Sequence, residues 1–137
     1  MSRKLLLVDD ETDVHEIVEL MLGKEGFEIL SASSGDEALR MVHEEKFDVI
    51  LLDLLMPGMS GQDFLKILKR SRVASKIPVV IFTALKPEDA YEECTQLGAD
   101  GYVHKPFAKK ILVREIERVL EESGEGKDRP DSGEDSR

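Results

Sequence analysis

Apolar runs and helix-spaced apolar positions take turns along most of this chain. The first run goes from Lys4 to Val8. After it Val14, Ile17, Val18, Met21 and Leu22 recur at i, i+3, i+4, i+7 and i+8, the spacing of one helix face. Phe27 to Ser31 is a second, weaker strand. Ser33-Ser34-Gly35-Asp36 then caps a helix that turns Ala38, Leu39 and Val42 inward. The third strand, Asp48 to Asp53, reads Val49-Ile50-Leu51-Leu52 without a polar break, as a strand buried on both faces of a parallel sheet does. Pro57-Gly58-Met59-Ser60-Gly61 is a loop, and a helix through Phe64, Leu65, Ile67 and Leu68 follows. Pro78 opens a fourth strand, Val79 to Phe82, which ends at Thr83-Ala84. Pro87 fits the first turn of the next helix, where an N–H would be unpaired anyway. Ala90, Cys94 and Leu97 mark the buried side of that helix. Gly98-Ala99-Asp100-Gly101 turns into a short fifth strand, Tyr102-Val103-His104, and Lys105-Pro106-Phe107 follows. The last helix buries Leu112, Ile116, Val119 and Leu120.

Strand and helix alternate five times. The pattern predicts an α/β fold, a (βα)5 three-layer sandwich with a five-stranded parallel sheet and helices on both faces. By analogy with doubly wound sheets, the strand order is expected to be 2-1-3-4-5, with ligands at the carboxyl ends of the strands near the switch point. From Glu122 on no apolar residue remains, so nothing offsets the entropy of ordering that stretch. The folded domain is therefore expected over 1–121, with 122–137 as a disordered acidic tail or linker.

Composition narrows the function classes. The 137 residues suffice for one domain with a real core, and the formal net charge of -10 argues against direct nucleic-acid binding. No apolar run reaches the ~20 residues of a membrane span. Leu5-Leu6-Leu7-Val8 is too short for a secretory signal and runs into acids. A cytoplasmic location is expected. The single cysteine, Cys94, excludes an internal disulfide, and its core spacing reads as a buried, inert thiol. His15, His43 and His104 have no ligand spacing among themselves.

The strand ends carry the candidate chemistry. Strand one ends in Asp9 and Asp10, strand three in Asp53, strand four in Thr83 and strand five in Lys105. In the expected order these side chains converge on one crevice. Three carboxylates packed together repel one another, and a divalent cation relieves that. All-oxygen ligands point to a hard ion such as Mg²⁺, with Mn²⁺ as a substitute. Phosphoryl transfer needs mostly positioning and charge neutralisation, and a carboxylate such as Asp53 can form an acyl phosphate. Taken singly, Asp9 and Asp10 read as a helix cap, Asp53 as a turn residue, Thr83 as a strand residue, Lys105 as a solvated lysine and Tyr102 as half-buried packing. Only together do they point to a site.

Four motifs in order, Val8-Asp9-Asp10-Glu11, Asp53-Leu54-Leu55-Met56-Pro57 with Gly61, Thr83-Ala84 and Lys105-Pro106-Phe107, resemble those of the receiver domain of bacterial two-component response regulators. The resemblance covers roughly residues 3–121 and implies the chemotaxis-type, flavodoxin-like fold. It implies that Asp53 is the phosphoacceptor, supplied by a sensor histidine kinase or histidine phosphotransfer protein. Asp10, Asp53 and the Leu55 backbone carbonyl would bind Mg²⁺ directly, and Asp9 mostly through a water. Lys105 would pair with the phosphate, Thr83 would move to bond it, and Tyr102 would change rotamer. The Lys105-Pro106 peptide is expected to be cis. The face of the fourth helix, fifth strand and fifth helix would then signal to an output partner. The resemblance further implies no conventional enzyme: the chain catalyses its own phosphorylation and a slow autodephosphorylation. It would be a monomer or a phosphorylation-dependent dimer, and Asp100-Gly101 stands where one large DNA-binding subfamily has two acids, which weakens that particular dimer. Two other readings stand beside it. One is a protein-binding module with the same fold that is never phosphorylated. The other is an aspartyl-phosphate phosphatase, which usually has a second acid where this chain has Leu55.

Overall fold

The computed structural model describes residues 3–128. The chain forms β1 (Arg3–Val8), α1 (Thr12–Gly23), β2 (Phe27–Ala32), α2 (Gly35–Glu44), β3 (Val49–Leu52), α3 (Gly61–Arg70), β4 (Val79–Thr83), α4 (Pro87–Gln96), β5 (Gly101–His104) and α5 (Lys109–Asp128). All four strand pairings are parallel, and the order is β2-β1-β3-β4-β5, as the alternation and the analogy predicted.

Alternate residues of each strand face opposite sides of the sheet, and this splits the core in two. Leu6, Val8, Ile50, Leu52, Val79 and Ile81 pack under α2, α3 and α4, against Ala38, Val42, Phe64, Leu65, Leu68, Ala90 and Cys94. Leu5, Leu7, Val49, Leu51, Val80 and Phe82 pack under α1 and α5, against Val18, Leu22, Leu112, Ile116 and Val119. Local chemistry sets the helix starts. Ser34 and Ser60 each accept a backbone N–H three residues on, and Pro87 occupies the first turn of α4.

Two positions at helix spacing are not in the core. Ile17 is 48% exposed and Ile67 42% exposed. The contact between a helix and a flat sheet is narrower than the apolar stripe, so residues at its margin stay in solvent. Helix α5 also continues past the last apolar residue, Leu120, to Asp128. An i,i+4 ion pair, Arg118 to Glu122 at 3.0 Å, links the two stretches. The remainder of the expected tail, 129–137, lies outside the described residues.

Strand β5 is at one edge of the sheet. The Tyr102 N–H donates to Glu115 Oε2 (3.0 Å), and Arg118 Nη2 donates to the Asp100 carbonyl (3.0 Å). Gly101 lies between, and a Cβ there would stand 2.7 Å from Glu115 Oε2. Burial alone would push the Glu115 carboxyl up. The bonds from Arg118 and the Tyr102 N–H outweigh it and hold that carboxyl below the usual range.

Candidate functional site

Two neighbouring strands end side by side and set the acids. The Asp9 N–H donates to Ala32 O of β2 (3.1 Å), and the Asp53 N–H donates to Val8 O of β1 (3.0 Å). Both strands lose their apolar character at that point, and the backbone ladder carries each carboxylate to the rim. Asp10 follows in the β1–α1 loop. One carboxylate oxygen each from Asp9, Asp10 and Asp53 lies within 4.8 Å of the others; Asp9 and Asp53 are buried and Asp10 is exposed. Asp9 does not cap α1. Its Oδ1 accepts the Glu11 N–H (2.9 Å) just ahead of the helix, and Glu11 itself holds the cap position.

Lys105 enters from the end of β5. Its Nζ lies 2.8 Å from Asp9 Oδ2 and 3.5 Å from Asp53 Oδ2, and 4.4 Å above the centroid of the Phe82 ring. The Lys105-Pro106 peptide is cis. The Lys105 side chain is only 16% exposed, and its ammonium partly offsets the charge of two buried acids. Thr83, at the end of β4, is fully buried, and its Oγ1 accepts the Leu85 N–H (3.4 Å). Ala84 beside it is exposed, which leaves space at the rim. Leu55 lies two residues past Asp53; its N–H donates to Asp53 Oδ1 (3.3 Å), and its side chain is exposed. Gly61 closes this loop from below, because a Cβ there would stand 2.5 Å from the Asp53 carbonyl oxygen.

Burial pushes the Asp53 carboxyl up. Lys105 and the Leu55 N–H oppose this, Asp9 reinforces it, and the Thr83 hydroxyl opposes it; the balance remains raised. A buried acid with a raised pKa beside a second buried acid is a donor set short of positive charge. One lysine does not supply enough for three carboxylates, so the residues present fit a divalent cation with oxygen ligands.

Tyr102 is not among the acids. Its hydroxyl donates to Leu85 O (2.7 Å), its ring meets Tyr91 edge-on at 5.9 Å, and burial pushes its phenol up to about 12. It therefore connects β5 to the loop after Thr83. His104 Nε2 lies 3.1 Å from the Ala84 carbonyl of the same loop. His15 has a place that spacing did not reveal: its Nε2 lies 2.6 Å from the Asp9 carbonyl oxygen. Cys94 is buried, and desolvation pushes its thiol up to about 11, in keeping with an inert role.

The family model for the response regulator receiver domain matches residues 5–117. The phosphate regulon transcriptional regulatory protein PhoB of Escherichia coli (strain K12) is 40% identical over 120 residues, which are 88% of this chain and 52% of PhoB. The chain thus spans about half the length of the curated relatives it matches. Among solved structures, Vibrio cholerae chemotaxis protein CheY4 superposes with a TM-score of 0.82 at 31% identity, over 87% of this chain and 99% of that one. The receiver domain of the sensor histidine kinase PA1611 from Pseudomonas aeruginosa PAO1, solved with a magnesium ion coordinated in its active-site cleft, superposes with a TM-score of 0.80 at 26% identity, over 88% of this chain and 98% of that one. Strand order, strand-end acids and the length of the family match agree, and the chain belongs to the response regulator receiver domain family.

Proposed function

We propose that this receiver domain is a phosphorylation switch in which Asp53 takes a phosphoryl group from the phosphohistidine of a sensor histidine kinase or histidine phosphotransfer protein. The observation that carries the reading is the approach of the Asp9, Asp10 and Asp53 carboxylates within 4.8 Å, with Lys105 Nζ 2.8 Å from Asp9 and 3.5 Å from Asp53. Asp10, Asp53 and the Leu55 carbonyl would hold Mg²⁺, with Asp9 acting through a water, and Mn²⁺ would substitute for it. When bound, the cation offsets carboxylate repulsion and draws charge from the phosphoryl oxygens. The magnesium in the PA1611 receiver structure supports this assignment.

The chain's own groups do the rest. An Asp53 oxygen attacks phosphorus, the P–N bond to the donor imidazole breaks, and its electron pair stays on the imidazole nitrogen. Lys105 then exchanges part of its bond to Asp9 for the phosphoryl oxygens. The Thr83 hydroxyl turns toward them from its bond with the Leu85 N–H. Because Tyr102 is tied to Leu85 O, movement of this loop carries to β5 and to the face formed by α4, β5 and α5. An output partner reads that face. Among the described residues no helix is long and apolar enough to cross a membrane, and we place the domain in the cytoplasm, as a monomer or a phosphorylation-dependent dimer.

Incubation with acetyl phosphate and Mg²⁺, followed by intact mass, tests the reading. One added phosphoryl group, lost in Asp53→Asn and absent when Mg²⁺ is chelated, is the expected result. An unmodified parent protein would favour a binding module with the same fold.

A further inference from the structure

We propose that His15 is a positioning residue for the cation site, acting through the Asp9–Asp10 peptide; this rests on the Mg²⁺ assignment above. Of the three acids, two are fixed by their own side chains. Asp9 Oδ1 takes the Glu11 N–H and Oδ2 takes Lys105, while Asp53 Oδ1 takes the Leu55 N–H and Oδ2 faces Lys105. The Asp10 carboxylate is exposed and has no such bond among the described residues, yet it completes the cluster within 4.8 Å. Its proximity to the other two therefore depends on where the backbone places its Cα.

That backbone is held at Asp9. The Asp9 carbonyl and the Asp10 nitrogen and Cα share one rigid plane, so fixing the carbonyl oxygen fixes where the Asp10 Cα is placed. The Asp9 N–H is tied to Ala32 O, which anchors one side of the residue to the sheet. The Asp9 oxygen is tied to His15 Nε2 at 2.6 Å, which anchors the other side to the first turn of α1. A carbonyl only accepts, so Nε2 carries the proton and donates. His15 thereby converts a loop peptide into one braced between strand and helix. The acid that depends on this brace is the one with no side-chain support.

Calorimetric titration of Mg²⁺ into the parent protein, His15→Ala and His15→Gln tests this, with each variant's melting followed in metal-free buffer. Loss of the donor in His15→Ala weakens Mg²⁺ binding by about tenfold, as removal of a group that orients a ligand does. Acetyl phosphate labelling then needs a correspondingly higher Mg²⁺ concentration to reach half its maximum. Gln offers an amide donor at similar reach and restores most of the affinity. Unchanged affinity in His15→Ala overturns the inference, and so does a His15→Gln variant that melts like the parent but binds no better than His15→Ala. A parent protein that binds no Mg²⁺ sinks the site assignment and this inference together, whereas parent binding with an indifferent His15→Ala sinks this inference alone.

Discussion

Over Leu5–Val8, Val49–Leu52 and Val79–Phe82 every side chain is apolar and buried, yet the next residue along each strand is Asp9, Asp53 or Thr83, and these are buried too. The strand bodies gain from burial, at roughly 1.5–3 kcal/mol for each large side chain. The strand ends do not, because a carboxylate out of water is costly unless it is paired. Lys105 pairs two of the acids and leaves the balance short. The contrast teaches that stability and chemistry occupy adjacent positions on the same strands, with a rigid ladder holding groups that would separate if free.

Substitution in the strand body gives the largest stability effect. Leu51→Ala removes a fully buried side chain from the core under α1 and α5, and should lower stability by about 2–5 kcal/mol in denaturant melts. At the boundary between body and rim, Gly61→Ala forces a methyl against the Asp53 carbonyl and Leu54 Cα, and should cost about 1–3 kcal/mol. It should also slow labelling by acetyl phosphate, because the displaced backbone carries Asp53.

At the rim itself the sign reverses. Burial first, and Asp9 as well, keep the Asp53 carboxyl raised against the pull of Lys105, the Leu55 N–H and Thr83. The folded protein thus holds the Asp53 proton to higher pH than the unfolded chain does. Stability falls as pH rises from the ordinary carboxylate range through the raised folded value, and the loss is complete above it. In metal-free buffer Asp53→Asn should therefore melt above the parent at neutral pH, and the gap should close as pH drops below the ordinary carboxylate range. Equal melting temperatures at neutral pH would mean that Lys105 fully compensates the acid.

The smallest stability effect, near zero, is expected for Leu55→Asn, because that side chain is half exposed. Its kinetic effect should be visible. Leu55 and Leu85 stand two residues after Asp53 and Thr83, and neither side chain can orient an attacking water. The parent should hold its phosphate for a long time, and Leu55→Asn should lose it faster in a chase followed by intact mass. A parent as quick as the variant would remove the point.

The strand bodies were legible because burial on both faces leaves an unbroken apolar run, as in Val49-Ile50-Leu51-Leu52. The helices were legible by their spacing, though spacing could not say that Ile17 and Ile67 lie at the margin of their contacts. The extent of α5 was hidden, since beyond Leu120 no apolar residue marks a face; the Arg118–Glu122 ion pair spans that boundary but has no periodic signature in the sequence. The acids, Thr83 and Lys105 were legible because each stands where a predicted strand stops. His15 and Glu115 were not. Each acts by a side chain bonding the backbone of another element, at the Asp9 carbonyl and the Tyr102 N–H, and such bonds leave no periodicity in the chain.

Glu115 and Arg118 also bear on how this molecule can be joined by another. A sheet flank can be lengthened by a strand borrowed from a second chain, which needs open amide and carbonyl groups to align on. Beside β5 the Tyr102 amide and the Asp100 carbonyl already have partners from α5. An incoming strand finds those two groups already taken, which disfavours lengthening of the sheet at that point.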